Sequence, residues 1–391
     1  MHRDFAQYFA DPVTKEPLHL TITRERQDRV IEGAFLSSIA RYPIVNGIPR
    51  FVNPQATQYA SSFGYQWTRW PRLQFESENA GKVMEGYTRR MWESITGMTG
   101  PAASDQLVLD IGCGPGRFVD VARAKGARVI GIDYSGAVEP AARSFAPDPG
   151  VCICQGDALH LPIRSASMDG VFTIGALHHT PDPACGVREA AAALAPGGWF
   201  AIAVYSAGGF YDARMVQAWR RLFVRLWPYA GHVPPLVYAH LVTRTARLLR
   251  YVPPTDRLLN TLCPSKDLPD INWSVLDTFD AVTPSHQSAH TCHEVFTWLK
   301  GAGLQDIEPT TWAPTSFRGR AGDVASNTET SWIHPRAVTE TGTPTAIPTA
   351  TTVPPTVSTA TAGTSTVTTS TGASLSSPPI RTTRSWAAGG R

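Results

Sequence analysis

Between Leu107 and Gly116 the chain reads Leu-Val-Leu-Asp-Ile-Gly-Cys-Gly-Pro-Gly, an apolar run that meets a carboxylate and then glycines at alternate positions. Such a run predicts a buried parallel strand whose carboxyl end turns sharply into a helix. Gly112, Gly114 and Gly116 let the backbone take positive φ and let a ligand come close. The helix that follows carries Phe118, Val121 and Ala122 on one face and stops at Gly126. Its start offers unpaired N–H groups to a carboxylate or phosphate. A dinucleotide loop would need its third glycine where Arg117 stands, so the spacing is a different one. The next strand ends at Asp133, about 20 residues on, where a ribose hydroxyl pair would be held. A third strand ends at Gln155-Gly-Asp157-Ala158 with another polar cap.

Strand, helix and strand alternate with short connections over residues 105–206, which predicts a parallel sheet. The fourth strand is read over Val171-Phe-Thr-Ile174 and a helix over 182–194, ending at Pro196-Gly-Gly198. The fifth strand is read from Trp199 to Tyr205. Ligands of such sheets sit beyond the carboxyl ends of the strands, where Asp110, Asp133, Asp157 and Gly175 all fall.

Residues 107–206 resemble a class I S-adenosylmethionine-dependent methyltransferase of the type 11 kind. The resemblance is carried by Asp110-Ile-Gly-Cys-Gly-Pro-Gly116, Asp133-Tyr-Ser135, Gly156-Asp157-Ala158, Gly175-Ala-Leu-His-His179 and Leu194-Ala-Pro-Gly-Gly198. It implies S-adenosylmethionine as cofactor. The backbone of Gly112, Cys113, Gly114 and Gly116 would hug the methionine part, with Asp110 near its ammonium. Asp133, followed by Tyr134, would accept from the ribose hydroxyls. Asp157 would accept from the adenine amino group with Ala158 beside the ring, and Gly175, at the end of the fourth strand, is counted with the cofactor-binding residues. The alternative for each aspartate is that it caps the helix after its strand.

On the acceptor side, a hydroxyl nucleophile must lose a proton, and imidazole is the natural base near neutral pH. His178 and His179 follow the fourth strand, at the mouth where the methyl should emerge, and are the candidate catalytic residues. The other reading is that they hydrogen-bond the loop or line the pocket. Relatives that methylate amide or adenine amino groups carry Asn/Asp-Pro-Pro-Tyr/Phe at this place; Gly175-Ala-Leu-His-His-Thr180 argues against those acceptors.

The expected fold is α/β, a doubly wound Rossmann-like sheet with a small N-terminal β-rich unit, a helical cap insertion and a disordered C-terminal tail. Residues 1–53 form the β-rich unit. The order Asp11-Pro-Val-Thr14 followed by Tyr42-Pro-Ile-Val-Asn-Gly-Ile-Pro49 resembles the small zinc-ribbon-like module of the Trm112 type. Asp11 and Thr14 stand where that family often has cysteines, so no zinc is expected. Residues 54–104 read as an aromatic helical lead-in, 105–206 as the cofactor-binding core and 207–285 as a basic cap. Residues 286–324 end the core, with a capping box at Thr291-Cys-His-Glu294. His286, His290 and His293 need not share a face and are not read as a metal site. Residues 325–391 are rich in Thr, Ser, Pro, Ala and Gly with few charges, a composition expected to stay disordered.

A net charge of +3 on 391 residues carries no expectation of nucleic acid. Six cysteines without a C-x-x-C pair suit a reducing compartment. With no apolar segment at the start and no membrane-length apolar run, a cytoplasmic enzyme is expected. The functional expectation is methyl transfer to a small-molecule or glycan-precursor acceptor at oxygen, in a biosynthetic setting. The alternatives are a methyltransferase for RNA or a translation-related protein, and a cofactor-binding scaffold without turnover. Between Ala213 and Arg250 there is no acidic residue, so this stretch is read as a solvated face, a cap for an anionic acceptor, or a peripheral contact with anionic lipid. Oligomeric state is not legible.

Overall fold

The apolar runs become five parallel strands: β5 (Leu107–Ile111), β6 (Arg128–Asp133), β7 (Val151–Gln155), β8 (Met168–Ile174) and β9 (Leu194–Ala203). Two later strands, β10 (Gln305–Pro309) and β11 (Ser316–Arg320), join antiparallel, giving the order β10-β11-β9-β8-β5-β6-β7. The computed structural model describes residues 1–52, 60–100 and 105–322, all within one compact unit, Met1–Thr330. The expected tail over 325–391 lies outside the described residues.

Alternation along β5 explains the two faces of the sheet. Leu107, Leu109 and Ile111 point into a core shared with α6 (Pro183–Ala193) and α11 (Cys292–Gly301). Val108 points to the other side, against α3 (Tyr87–Thr96), α4 (Arg117–Ala124) and α5 (Val138–Ser144). Strand order reverses at β5, which pairs with β6 on one edge and β8 on the other. The crevice beyond the carboxyl ends at such a reversal is where ligands bind in open α/β sheets. One boundary differs from expectation. α6 stops at Ala193 and β9 begins at Leu194, so Pro196-Gly-Gly198 lies in the strand rather than ending the helix. A Cβ on Gly198 would meet the carbonyl oxygen of Ala195 at 2.8 Å, so only glycine lets the chain pass there.

Four antiparallel strands precede the core: β1 (His19–Arg26), β2 (Arg29–Leu36), β3 (Arg41–Val45) and β4 (Ile48–Pro49). Gln27-Asp28 and Asn46-Gly47 all take positive φ, as two-residue hairpin turns require. Phe9, Phe35 and Phe51 pack with ring centroids 5.3–5.9 Å apart and belong to the same core as β5 and β6. Arg50 ties this small sheet to the large one, donating to Gln155 Oε1 at 2.9 Å and pairing with Glu139.

Asp11 organises the turn that follows it. Its buried carboxylate accepts from Val13 N (2.8 Å), Thr14 N (2.9 Å) and the Tyr42 hydroxyl (2.9 Å). Burial pushes its pKa up, but the hydrogen bonds from Ser37, Thr14, Val13 and Tyr42 outweigh that and hold it at about 2. The carboxylate therefore stabilises the fold above its unfolded pKa near 4, and that contribution is lost as pH falls through 2. Asp11→Ala is expected to cost about 2 kcal/mol at pH 7. Denaturant melts should show the gap to the parent protein narrowing between pH 4 and pH 2.

After β9 the chain leaves the sheet to build the cap: α7 (Arg214–Ala230), α8 (Val233–Leu249), α9 (Pro253–Leu262) and α10 (Ile271–Val282). α10 is the inner member, capped by the Asp270 side chain and burying Trp273, Val275, Leu276 and Phe279. Thr291 then caps α11 reciprocally with Glu294. Among the described residues no helix is long and apolar enough to cross a membrane.

Candidate active site

The glycine loop closes over the end of β6. Gly112 (φ 78°) and Cys113 both donate to Ile132 O, at 2.7 and 3.0 Å. Gly114 N donates to Asp133 Oδ2 at 2.9 Å, while Asp133 Oδ1 accepts from Ser135 N and Oγ. Asp133 thus braces the loop and the turn after its own strand. Burial raises its pKa, with these hydrogen bonds acting the other way. Asp110 lies beneath, buried, with Oδ2 making no hydrogen bond. Burial, and next the Asp133 charge, push its carboxyl well up.

Helix α1 (Ser61–Arg69) lies across this loop. A Cβ on Gly114 would come within 3.2 Å of Trp67 Nε1, and one on Gly64 within 3.4 Å of Gly136 N. Asp157 Oδ1 accepts from Leu159 N at 2.9 Å, and Ala158 packs against the core beside it. The Tyr134 carbonyl accepts from Gln155 Nε2. Gly175 (φ 78°) donates to Ala203 O, and nothing lies within 4 Å of where its Cβ would be. Cys113 offers the crevice only its backbone. Its buried thiol belongs to the core, with Sγ 3.1 Å from where a Cβ on Gly131 would stand.

His178 and His179 sit in a short 3-10 turn after β8, both buried. The His178 ring lies 3.6 Å from the Tyr205 ring, and neither of its nitrogens has a hydrogen-bond partner. His179 Nδ1 bonds the His286 carbonyl at 3.0 Å, and its ring faces Phe63. Burial lowers both pKa values, His178 furthest, so protonation would put a cation into apolar surroundings. Of the two sequence readings, this environment resembles the one in which the pair bonds the loop and lines the pocket: His179 holds the His286 carbonyl and His178 packs on Tyr205.

A second polar group, which sequence reasoning missed, is built by the cap around Gln66, the neighbour on α1 of the Trp67 that lies against Gly114. Asp280 on α10 accepts from Gln66 Nε2 and from the Tyr205 hydroxyl, both at 2.9 Å. Tyr205 stacks on Tyr211 at 3.6 Å, and Lys266 Nζ lies 4.4 Å from the Tyr211 centroid. Asp277, one turn before Asp280, has its carboxyl pushed up to about 6 by burial, against the pull of Lys266 and with Asp280 adding to the push. Arg117, at the start of α4, feels the charges of Asp277, Tyr87 and Asp280 and has its guanidinium over Phe118. The only sequence signal for this group was the pair Asp277 and Asp280 at helical spacing.

The described site therefore has two halves. One is a glycine loop with three strand-end carboxylates; the other is a charged, tyrosine-lined wall on the cap. S-adenosylmethionine fits the first half. Asp110 has a buried oxygen without a donor, where an ammonium would pair, and the loop backbone is bare. Fold and site define a class I S-adenosylmethionine-dependent methyltransferase domain. Residues 109–202 match the family model described as a methyltransferase domain.

Among curated proteins, the chain is 35% identical to 27-O-demethylrifamycin SV methyltransferase of Amycolatopsis mediterranei, over 32% of this chain and 47% of that one. It is 30% identical to probable tRNA methyltransferase 9B of Mus musculus, over 33% of this chain and 28% of that one. It is 35% identical to a ubiquinone biosynthesis O-methyltransferase of Albidiferax ferrireducens, over 25% of this chain and 40% of that one. The matches thus span less than half the length of these relatives.

Proposed function

We propose that the protein moves a methyl group from S-adenosylmethionine to an oxygen of a small-molecule or glycan-precursor acceptor. The observation that carries this reading is the polar group of Asp277, Asp280 and Tyr205, tied through Gln66 to the helix whose Trp67 lies against Gly114, which suits a hydroxyl that must be oriented and deprotonated. Two of the relatives are named for O-methylation, which supports oxygen as the nucleophile.

When bound, the donor supplies a methyl already activated on a sulfonium, so the protein's task is alignment and proton removal. Gly112, Gly114 and Gly116 with Asp110 hold its methionine part, Asp133 its ribose, and Asp157 with Ala158 its adenine. Asp280 accepts from Gln66 on one oxygen and from Tyr205 on the other, and so orients the wall. Asp277 is the proton acceptor. It is ionised at neutral pH yet binds a proton far more readily than an ordinary carboxylate. Six unpaired thiols support a cytoplasmic site of action.

Titration calorimetry should detect donor binding, and methyl-labelled donor should mark a metabolite fraction. Absence of donor affinity would overturn the reading. The second reading, an RNA acceptor, is favoured by the arginines of α7 and α8 and predicts label in RNA with steeply salt-dependent binding.

A further inference from the structure

The outer surface of the cap is apolar where a surface helix is normally polar. α8 buries Tyr238, Ala239 and Val242. Its opposite stripe is Val233, Val237, Leu241 and Leu248, at four- and seven-residue spacing, with Val233 64%, Leu241 62% and Leu248 77% exposed. A helix that is apolar on both sides needs something to cover its second face. The stripe does not stand alone. Leu222, Leu226 and Tyr229 are exposed on α7, Tyr251 and Val252 follow α8, and Leu258 and Leu262 are exposed on α9.

Arginines are interleaved with these residues. Arg214, Arg221 and Arg225 on α7, Arg244 on α8, and Arg250 beyond it are exposed, and no acidic residue occurs from Ala213 to Tyr251. Tyr229, 89% exposed, and Tyr251, 81% exposed, are amphipathic rings of the kind that settle at a water–lipid boundary.

We propose that this face of α7, α8 and α9 is a peripheral docking surface for an anionic lipid bilayer. α8 lies along the bilayer, its Val and Leu stripe enters the acyl boundary, and the arginines meet lipid phosphates. Charge decides against a second copy as the occupant. A two-fold contact would set the arginines of α7 and α8, two helices that carry no acidic residue, against themselves. The inference does not depend on which acceptor is methylated. It does fit one that partitions into membrane, because α8 packs directly on α10, the helix that carries Asp277 and Asp280.

Vesicle flotation with the full chain tests this. Vesicles of phosphatidylcholine alone should retain little protein. Vesicles with roughly a third phosphatidylglycerol should retain it, and 0.5 M salt should release part of it. Val237→Asp/Leu241→Asp and, separately, Arg221→Glu/Arg225→Glu should each lower anionic-vesicle partition about tenfold or more. These side chains are exposed, and circular dichroism confirms that each variant is folded. Four outcomes would overturn the proposal. They are no vesicle binding, equal binding to neutral and anionic vesicles, binding untouched by the apolar pair, or a dimer in light scattering that Val237→Asp/Leu241→Asp dissociates. RNA binding that depends on the arginines but not on Leu241, without vesicle binding, would assign the face to nucleic acid instead.

Discussion

Asp277→Asn is expected to lower kcat by about two to four orders of magnitude while leaving donor affinity within a few-fold. The carboxyl must be ionised to take a proton, and burial beside Asp280 puts its pKa at about 6 despite Lys266 and Arg117. Activity of the parent protein should therefore rise as pH passes 6 and level off above 7, and the variant should lose that limb. Stability should move the opposite way. A carboxyl whose pKa is raised on folding supports the fold below its unfolded pKa near 4, and that support disappears as pH rises through 6. At pH 8 the ionised group is a net cost, so Asp277→Asn should be more stable by up to about 3 kcal/mol, and near pH 4 the two proteins should converge. A more stable, donor-binding and inactive variant is a combination that a merely structural residue does not produce. If kcat and its pH profile survive the change, the base lies elsewhere. His179→Asn with the same measurements would then show whether imidazole holds that role.

The second large effect is at Gly112. Alanine there must adopt φ near 78°, which costs about 1 kcal/mol for a non-glycine residue. Its Cβ would stand 2.1 Å from the Cβ of Ala176, in the turn after β8. Neither atom is the far end of a flexible side chain, so backbone has to move, and overpacking of this kind costs about 1–3 kcal/mol. The displaced segment is the one whose N–H groups bond Ile132 O and, at Gly114, Asp133. Gly112→Ala is expected to destabilise the protein by roughly 2–4 kcal/mol and weaken donor binding at least about tenfold. Adding Ala176→Gly removes the clash but not the φ strain. The double variant should recover most of the stability and part of the affinity in paired thermal melts and calorimetric titrations. Donor affinity undiminished in the single variant would mean that the loop does not hold the donor.

The two histidines show where reading from the chain stopped. Imidazoles at a strand end are reasonable bases in the abstract, but their chemistry depends on what surrounds them. Tyr205, Phe63 and the 286–290 segment enclose this pair and leave His178 with no polar partner. None of those neighbours is close in sequence. Asp11 is the converse case. The lack of cysteines around it was legible, while the Tyr42 hydroxyl that bonds its carboxylate came into view only with β3 packed beside the turn.

The proposed donor half of the site was legible in the chain because each of its parts is local. A strand, a carboxylate, a bare turn and a helix start occupy about ten consecutive residues, and backbone sterics impose their spacing whatever else the protein does. The proposed acceptor half is made from Gln66, Arg117, Tyr205, Tyr211, Lys266, Asp277 and Asp280, which four separate segments bring together only once the cap is packed. Their pKa values and partners are properties of that burial. Desolvation and long-range contact leave no fixed interval in the sequence, so folding alone determined what this wall could do.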